Sequence, residues 1–325
     1  MVVDSPLPSE YGFDEYGAFN CAGEQMPVHE DARHAISFIE KSVESKKPFF
    51  INLWLHEPHT PFHTVPKYRW RFRELEEPDN IYASVLSHAD DRVGDVLAAL
   101  DRLKLTENTL VIFSSDNGPA RASRPTELTL THDTATGAGY GIGGARGITG
   151  GRKGYKGALF EGGVGVPFIA RWPGKIAANK VDETSLFSAV DLLPTFCELA
   201  KVELPADYKP DGLSQVQTLL GKGMSERSKP LFWKMASRWP PQKTRPYHWV
   251  SYAVVDQNWK LLTNRDQSHV ELFDLSADRF EATEISDANP DVLKELLGKL
   301  TAWQETLPLK PTGDVFSKKR ATIEN

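Results

Sequence analysis

The strongest constraint on the fold is an alternation of helical and strand-like runs in the first third of the chain. Apolar residues follow helical spacing over residues 29–45, and a continuous apolar run occupies 49–55. The same order recurs, with a helix over about 80–103 and an apolar run at 109–113, and a further strand is expected at 166–171. Alternating units of this kind are typical of α/β proteins. We therefore predict a mostly parallel, mixed sheet flanked by helices.

The last hundred residues have a different pattern. Short aromatic and β-branched runs joined by polar turns predict a smaller antiparallel sheet, and they lie at 231–233, 249–255, 259–262 and 270–273. Asn289 and Pro290 supply an N-cap and a first helical position before an apolar stripe, which predicts a terminal helix. We expect an irregular entry segment at 1–27, an α/β domain at 28–225 and an antiparallel-sheet subdomain at 226–325.

Charge and composition exclude several classes of protein. The 44 acidic and 38 basic residues give a net charge of -6, so the chain has no basic footprint for nucleic acid. Only two cysteines are present, too few and too far apart for a disulfide framework or a zinc motif. No apolar stretch has the length of a transmembrane segment, and residues 1–6 lack the pattern of a signal peptide. The cellular location is left undetermined.

A polar tetrapeptide, Ser115-Asp116-Asn117-Gly118, follows directly on the apolar run at 109–113. In open α/β sheets, ligands bind beyond the carboxyl ends of the strands, and carboxylate and amide oxygens are ligands for a hard cation such as calcium. Asp, Asn and Gly are also ordinary turn formers, so the tetrapeptide alone favours a capped strand-to-loop turn over a metal site. Asp116 and Asn117 are the candidate metal ligands.

Two further segments carry candidate catalytic residues. His59 follows the run at 49–55 in a proline-bracketed turn, where an acid or base could act, although most loop histidines are surface residues. Lys156 lies in a glycine-rich segment, 154–163, which allows close approach of the backbone to an oxyanion. The alternative for Lys156 is a solvated lysine in a glycine loop. Arg152 is a candidate contact for a sugar substrate.

Taken in order, these segments resemble the formylglycine-dependent sulfatases of the alkaline-phosphatase-like superfamily. The resemblance rests on His59-Thr60-Pro61, the tetrapeptide at 115–118, and Lys156 with Glu161-Gly162-Gly163. Supporting matches extend over nearly the whole chain and lie at 12–16, 171–176, 191–195, 211–212, 259–261 and 271–275. The resemblance implies a sulfuric ester hydrolase that acts on a sulfated carbohydrate or another sulfate ester. It also implies a periplasmic, secreted or lysosomal location, provided that an upstream signal peptide exists.

The resemblance also assigns roles to individual residues. Asp116 and Asn117 would be two ligands of a calcium ion that draws charge from the sulfate oxygens. Lys156 would bind the sulfate and stabilise negative charge as the ester bond breaks. His59 would hydrogen-bond the bridging oxygen and could donate the proton of the leaving group. The nucleophile would be the hydrated aldehyde of a formylglycine.

The chain departs from this family in two respects. Formylglycine is made from a Cys/Ser-x-Pro-x-Arg motif, and no position in the sequence satisfies it. An early strand with paired aspartates, which carries the remaining metal ligands, is also missing. We therefore expect a fragment that is inactive alone and binds calcium weakly. The second departure is Gly165, where the family pattern has an arginine.

Two alternative functions stay open at this point. A phosphodiesterase or phosphonate hydrolase of the same superfamily could share the Asp-Asn pair. A non-catalytic module could instead bind sulfated glycans through Lys156 and nearby arginines, although the acidic net charge argues against a strongly positive surface.

Overall fold

The computed structural model describes residues 8–17, 29–121, 130–133, 137–140, 147–222, 227–235 and 246–308. The chain divides into two compact units. The first comprises residues 1–106, 121–146 and 308–325, and the second comprises 107–120 and 147–307. The expected domain limits at residues 27 and 225 stay a prediction.

Helices dominate the first unit. They are α1 (Asp31–Glu44), the short α2 (Pro66–Arg71) and the long α3 (Glu77–Arg102), and the two long ones lie where the periodicity predicts helices. Strands β2 (Leu130–Asp133) and β3 (Gly137–Tyr140) form an antiparallel pair. Phe62, Ile81 and Val85 form a small core beside Tyr140, and Phe62 exchanges two backbone hydrogen bonds with Tyr140.

The run at 49–55 differs from expectation because no strand forms there among the described residues. Its exposure still alternates with the period of a strand: Phe50 and Trp54 are 59% and 79% exposed, whereas the residues between them are half-buried or polar. A strand needs a hydrogen-bonded neighbour in addition to a suitable sequence. The apolar run alone does not supply that neighbour.

The second unit begins with β1 (Val111–Ser114), which pairs antiparallel with β4 (Phe168–Arg171). The expected strands at 109–113 and 166–171 therefore exist, but the parallel pairing is wrong, because all strand pairs among the described residues are antiparallel. Strand β1 is also only half-buried, and Phe113 is 46% exposed. Periodicity identifies strands but does not specify which strands become neighbours or in which direction.

Short helices follow in the second unit: α4 (Glu161–Val164), α5 (Leu192–Ala200) and α6 (Val216–Leu219). A 3-10 turn at Ala189–Asp191 precedes α5, so Pro194 falls in the first turn of the helix. Proline is tolerated there because a backbone N–H at that position would have no acceptor within the helix. The apolar residues Leu186, Val190, Leu193 and Phe196 have helical spacing, but the α-helix begins only at Leu192.

The predicted C-terminal antiparallel sheet is confirmed. Its four strands, β5 (Leu231–Lys234), β6 (Tyr252–Asp256), β7 (Trp259–Thr263) and β8 (Val270–Asp274), are ordered as in the sequence. Successive side chains along each strand point to opposite faces of this sheet, and both faces are buried. One face packs on Phe160 and its neighbours, and the other packs on Leu296 and Leu300 of α7 (Pro290–Thr306). The mixed α/β class with helices and a C-terminal antiparallel sheet is therefore confirmed.

The terminal helix α7 begins at Pro290, as expected. The Asn289 side chain makes no capping hydrogen bond, and its amide nitrogen donates to the carbonyl of Ile285. Within the described residues, the helices are all too short or too polar to cross a membrane.

Candidate functional site

The tetrapeptide at 115–118 forms a tight turn directly after β1. Ser115 Oγ donates to the carbonyl of Asn117 at 3.0 Å, and Asn117 Nδ2 donates to the carbonyl of Gly118 at 2.9 Å. Asp116 is exposed and Asn117 is half-buried. Because the amide nitrogen of Asn117 is held by the backbone, its side-chain oxygen faces away from that bond.

This turn, which we call the 115–118 turn, lies against the Lys156 loop (residues 154–163). The Gly118 N–H donates to the Gly163 carbonyl at 2.9 Å, and the Lys156 N–H donates to the Pro119 carbonyl at 2.9 Å. A Cβ on Gly118 would lie 1.9 Å from the Gly162 carbonyl oxygen, so only glycine allows this approach. The structure thus brings Asp116, Asn117 and Lys156 into one part of the second unit.

The polar ends of these side chains are available to a ligand. Among the residues that the structure describes, neither the Asp116 carboxylate nor Asn117 Oδ1 has a hydrogen-bond or ion-pair partner. The Lys156 ammonium likewise contacts no acceptor in the described part of the chain. Carboxylate and amide oxygens suit a hard cation, and a compact ammonium suits a tetrahedral oxyanion. The donor set therefore fits both a cation and an anionic group.

A buried ionic network contacts Glu161, near the end of the Lys156 loop. Lys260 Nζ lies 2.7 Å from Glu161 Oε1 and 2.9 Å from Glu281 Oε1, and both Lys260 and Glu281 have fully buried side chains. Glu281 Oε2 accepts the backbone N–H of Glu161 at 2.6 Å. Burial raises the pKa of Glu281, although Lys260 opposes that change. Strand β7 thereby holds the first residue of α4.

The same network explains how the chain tolerates Gly165. The Glu161 carboxylate has its cationic partner in Lys260, so it is not left unpaired by the absence of an arginine at position 165. A Cβ on Gly165 would lie 2.7 Å from Glu161 Oε2 and 2.8 Å from the Glu161 carbonyl oxygen. The close packing of Glu161 leaves little room for a side chain there.

Arg152 and Lys153 are adjacent but differ in their surroundings. Lys153 pairs with Glu271 at 2.6 Å and lies over the Phe160 ring at 4.6 Å, so its charge supports the fold. The backbone of Arg152 is held by the Thr149 hydroxyl at 2.7 Å, whereas its guanidinium has no partner within the described residues. Arg152 is therefore the one of the two that can meet a ligand.

His59 lies in the first unit and is exposed. Its Nδ1 is 2.6 Å from the Thr60 carbonyl, which can only accept, so Nδ1 carries a proton. This leaves Nε2 as the reactive nitrogen, a proton acceptor in the neutral ring and a donor in the protonated ring. The Nε2 atom of the neighbouring His56 lies 3.0 Å from the Pro61 carbonyl oxygen.

Sequence reasoning missed a cluster of ionisable residues in the first unit. One possible ligand atom from each of His29, Glu57 and His88 lies within 4.8 Å of the other two. Burial would raise the pKa of Glu57, but the close contacts of His29 and Arg92 outweigh it and lower this pKa to about 2. Burial, together with His29 and Arg92, lowers the pKa of His88 to about 4. The three residues follow no motif spacing, so no sequence signal marks them.

Comparison with protein families gives two matches. The model of the family described as Sulfatase matches residues 6–202. The model described as N-sulphoglucosamine sulphohydrolase, C-terminal, matches residues 153–306.

Curated relatives and solved structures agree with these matches. An N-acetylgalactosamine-6-O-sulfatase of Bacteroides thetaiotaomicron is 30% identical over 81% of this chain and 48% of the relative. An N-acetylgalactosamine-6-sulfatase of Canis lupus familiaris is 28% identical over 70% of this chain and 45% of the relative. The crystal structure of Ps i-CgsB has a TM-score of 0.67 at 24% identity, covering 86% of this chain and 55% of that one, and shows a shared fold. The chain spans about half the length of the curated relatives it matches.

Proposed function

Because this chain belongs to the sulfatase family, we propose that it contributes the anion-binding residues and part of the metal-binding residues of a site that hydrolyses sulfate esters. The observation that carries the proposal is the packing of the 115–118 turn on the Lys156 loop, joined by two backbone hydrogen bonds of 2.9 Å. Through that packing, two side chains that carry oxygen atoms lie in the same part of the second unit as an ammonium with no acceptor among the described residues.

Asp116 and Asn117 would hold the metal ion, for which we propose calcium because both offer oxygen atoms. When bound, the ion would withdraw charge from the oxygens of the sulfate group. The hydrogen bond from Asn117 Nδ2 to Gly118 keeps Oδ1 as the atom available for ligation. No residue of the sequence lies in a Cys/Ser-x-Pro-x-Arg motif, so we assign no formylglycine, and no step that uses one, to this chain.

Lys156 would bind the sulfate and neutralise the charge that builds up on its oxygens as the ester bond breaks. Its backbone N–H is committed to Pro119, so its position follows that of the 115–118 turn. His59 would act through Nε2, because Nδ1 donates to Thr60. In its protonated form, His59 would give the Nε2 proton to the departing alcohol oxygen.

We propose a sulfated carbohydrate as the substrate class. Support comes from the relative in Bacteroides thetaiotaomicron, whose name specifies N-acetylgalactosamine-6-O-sulfate chemistry. Arg152 would contact the anionic sugar, since its guanidinium is the unpaired cation next to the Lys156 loop in the described structure. The phosphodiesterase alternative is not favoured, because both family models and the relatives reported above are sulfatases.

Calorimetric titration of the whole chain with N-acetylgalactosamine-6-sulfate, in buffer with calcium, tests this proposal. We expect weak binding that Lys156→Ala reduces by about 10- to 100-fold, the effect of losing one charge-assisted hydrogen bond. Lys175→Ala is the matched control, because Lys175 is an exposed lysine of the same unit.

Two results would count against the proposal. Equal binding by the Lys156→Ala and Lys175→Ala variants would show that Lys156 is not the anion contact. Tight binding of heparin-type polymers that survives Lys156→Ala and Arg152→Ala would favour a glycan-binding module on another surface.

A further inference from the structure

The first unit contains a second group of metal-ligand residues, separate in sequence from Asp116 and Asn117. His29 lies two residues before α1, Glu57 lies in the loop after the run at 49–55, and His88 lies on α3. His29 Nε2 lies 2.9 Å from Glu57 Oε1, and the rings of His29 and His88 meet edge to face with centroids 4.3 Å apart. The Glu57 side chain is fully buried.

We propose that His29, Glu57 and His88 bind one divalent transition-metal ion of the zinc class. Two imidazoles and one carboxylate form a donor set that zinc uses in proteins, with the fourth position left to water. Calcium and magnesium prefer sets made only of oxygen, so this cluster selects against them. This inference is independent of the proposed sulfate-ester chemistry.

The atoms around the cluster favour a metal over a simple hydrogen bond. His29 Nε2 is buried and makes no hydrogen bond of acceptable geometry, even though Glu57 Oε1 is only 2.9 Å away. Two ligand atoms that lie close together without pointing at each other can both point at a shared ion.

Arg92 acts as an outer partner that orients the carboxylate. Its NH2 group lies 2.5 Å from Glu57 Oε2, and its NH1 group lies 3.5 Å from Glu57 Oε1 and 3.4 Å from His88 Nδ1. Its Nε lies 3.1 Å from Asp31 Oδ1, and Asp31 Oδ2 has no hydrogen-bond partner in the described structure. Two carboxylates and one guanidinium give the cluster a net negative charge, which a divalent cation would offset. Outer partners of this kind are common around ligating side chains.

Solvent approaches the cluster on the side of His29. A cavity of about 450 Å³ between α1 and α3 has His29 and Arg92 in its wall. The remaining lining is mixed, with Arg33, Asp95 and Arg102 among the polar residues. His29 is the one proposed ligand among the lining residues, so the cavity gives solvent access to that side of the cluster.

The test is calorimetric titration of the chelator-treated whole chain with zinc chloride in calcium-free buffer. We expect one zinc ion per chain, and His88→Ala and Glu57→Gln should each weaken binding by about 100-fold or more. His34→Ala is the matched control, because His34 is a half-buried histidine on α1 outside the cluster. Circular dichroism of each variant checks that the fold is retained.

X-ray absorption of the zinc-loaded chain gives a second readout that does not depend on how well the variants fold. We expect two imidazole ligands and light-atom neighbours at about 2.0–2.2 Å. Asp116→Asn should leave zinc binding unchanged, which separates this site from the proposed calcium ligands. Absence of stoichiometric zinc binding, or equal loss in the His34→Ala and His88→Ala variants, would falsify the site and leave a metal-free ion-pair network.

Discussion

Gly118 controls how the 115–118 turn meets the Lys156 loop. Its N–H bonds Gly163, and its missing side chain makes room for the Gly162 carbonyl. The oxygens of Asp116 and Asn117 and the ammonium of Lys156 are therefore placed by a backbone contact. The side-chain hydrogen bond from Asn117 Nδ2 to the Gly118 carbonyl then orients the Asn117 oxygen.

Gly118→Ala should separate the turn from the loop, because a Cβ would lie 1.9 Å from the Gly162 oxygen. We expect a loss of about 1–3 kcal/mol in the free energy of unfolding, measured with urea, from this overpacking. Gly298→Ala is the control in the same unit: Gly298 lies within α7 with open space around it, so alanine should stabilise by up to about 1 kcal/mol. Equal effects of the two substitutions would contradict the close packing.

Acid should destabilise the first unit in two steps in the metal-free protein. The folded pKa of His88, about 4, lies below its ordinary value of 6.5, so its contribution to stability is lost as pH falls from 6.5 to 4. The folded pKa of Glu57, about 2, lies below 4.5, so its contribution is lost from pH 4.5 downwards and amounts to about 3 kcal/mol.

Hydrogen exchange of the α3 amides, measured against pH with chelator present, checks this acid response. His88→Gln should remove the change between pH 6.5 and 4 and retain the change at lower pH. An unchanged profile in that variant would assign the upper step to another group.

At the scale of elements, strand β7 connects the C-terminal sheet to the Lys156 loop. Lys260 lies in β7 with its ammonium between Glu161 of α4 and Glu281. The C-terminal sheet therefore contacts the Lys156 loop directly, because the Lys260 side chain of β7 pairs with Glu161 at the start of α4. Phe160 adds an apolar contact with the same sheet face.

Lys260→Met should destabilise the second unit by about 3–5 kcal/mol, because it leaves two carboxylates without their buried cation. The double variant Lys260→Met/Glu281→Gln should recover part of this loss, since the fully buried Glu281 no longer carries a charge. Urea unfolding of both single variants and the double variant gives the coupling free energy. A coupling near zero would mean that the two residues do not act as a pair.

At the scale of the whole molecule, the chain matches the sulfatase family model over residues 6–202 and spans about half the length of the relatives reported above. Of the candidate site residues, His59 belongs to the first unit, and Asp116, Asn117, Arg152 and Lys156 belong to the second. Their catalytic roles stay predictions.

The whole chain should not hydrolyse an aryl sulfate at a measurable rate, because no Cys/Ser-x-Pro-x-Arg motif is present to supply a nucleophile. Release of 4-nitrophenol from its sulfate ester, with calcium present, should equal that of the Lys156→Ala variant. Turnover that depends on Lys156 would show that another residue serves as nucleophile.

The amino-acid sequence determined the positions of most helices and strands, the C-terminal antiparallel sheet and the identity of the candidate site residues. These follow from local periodicity, from turn-forming residues and from side-chain chemistry, all of which are written in short stretches of sequence. The run at 49–55 shows the limit, because its alternation is present but no strand forms without a partner.

Only the tertiary structure decided which segments meet. It paired β1 with β4 in the antiparallel direction, packed Gly118 against the Gly162 carbonyl, and brought Lys260 into an ion pair with Glu161. It also gathered His29, Glu57 and His88 from three distant segments into one cluster. Contacts between residues far apart in sequence depend on how whole elements pack, and packing is a property of the assembled chain that no local pattern contains.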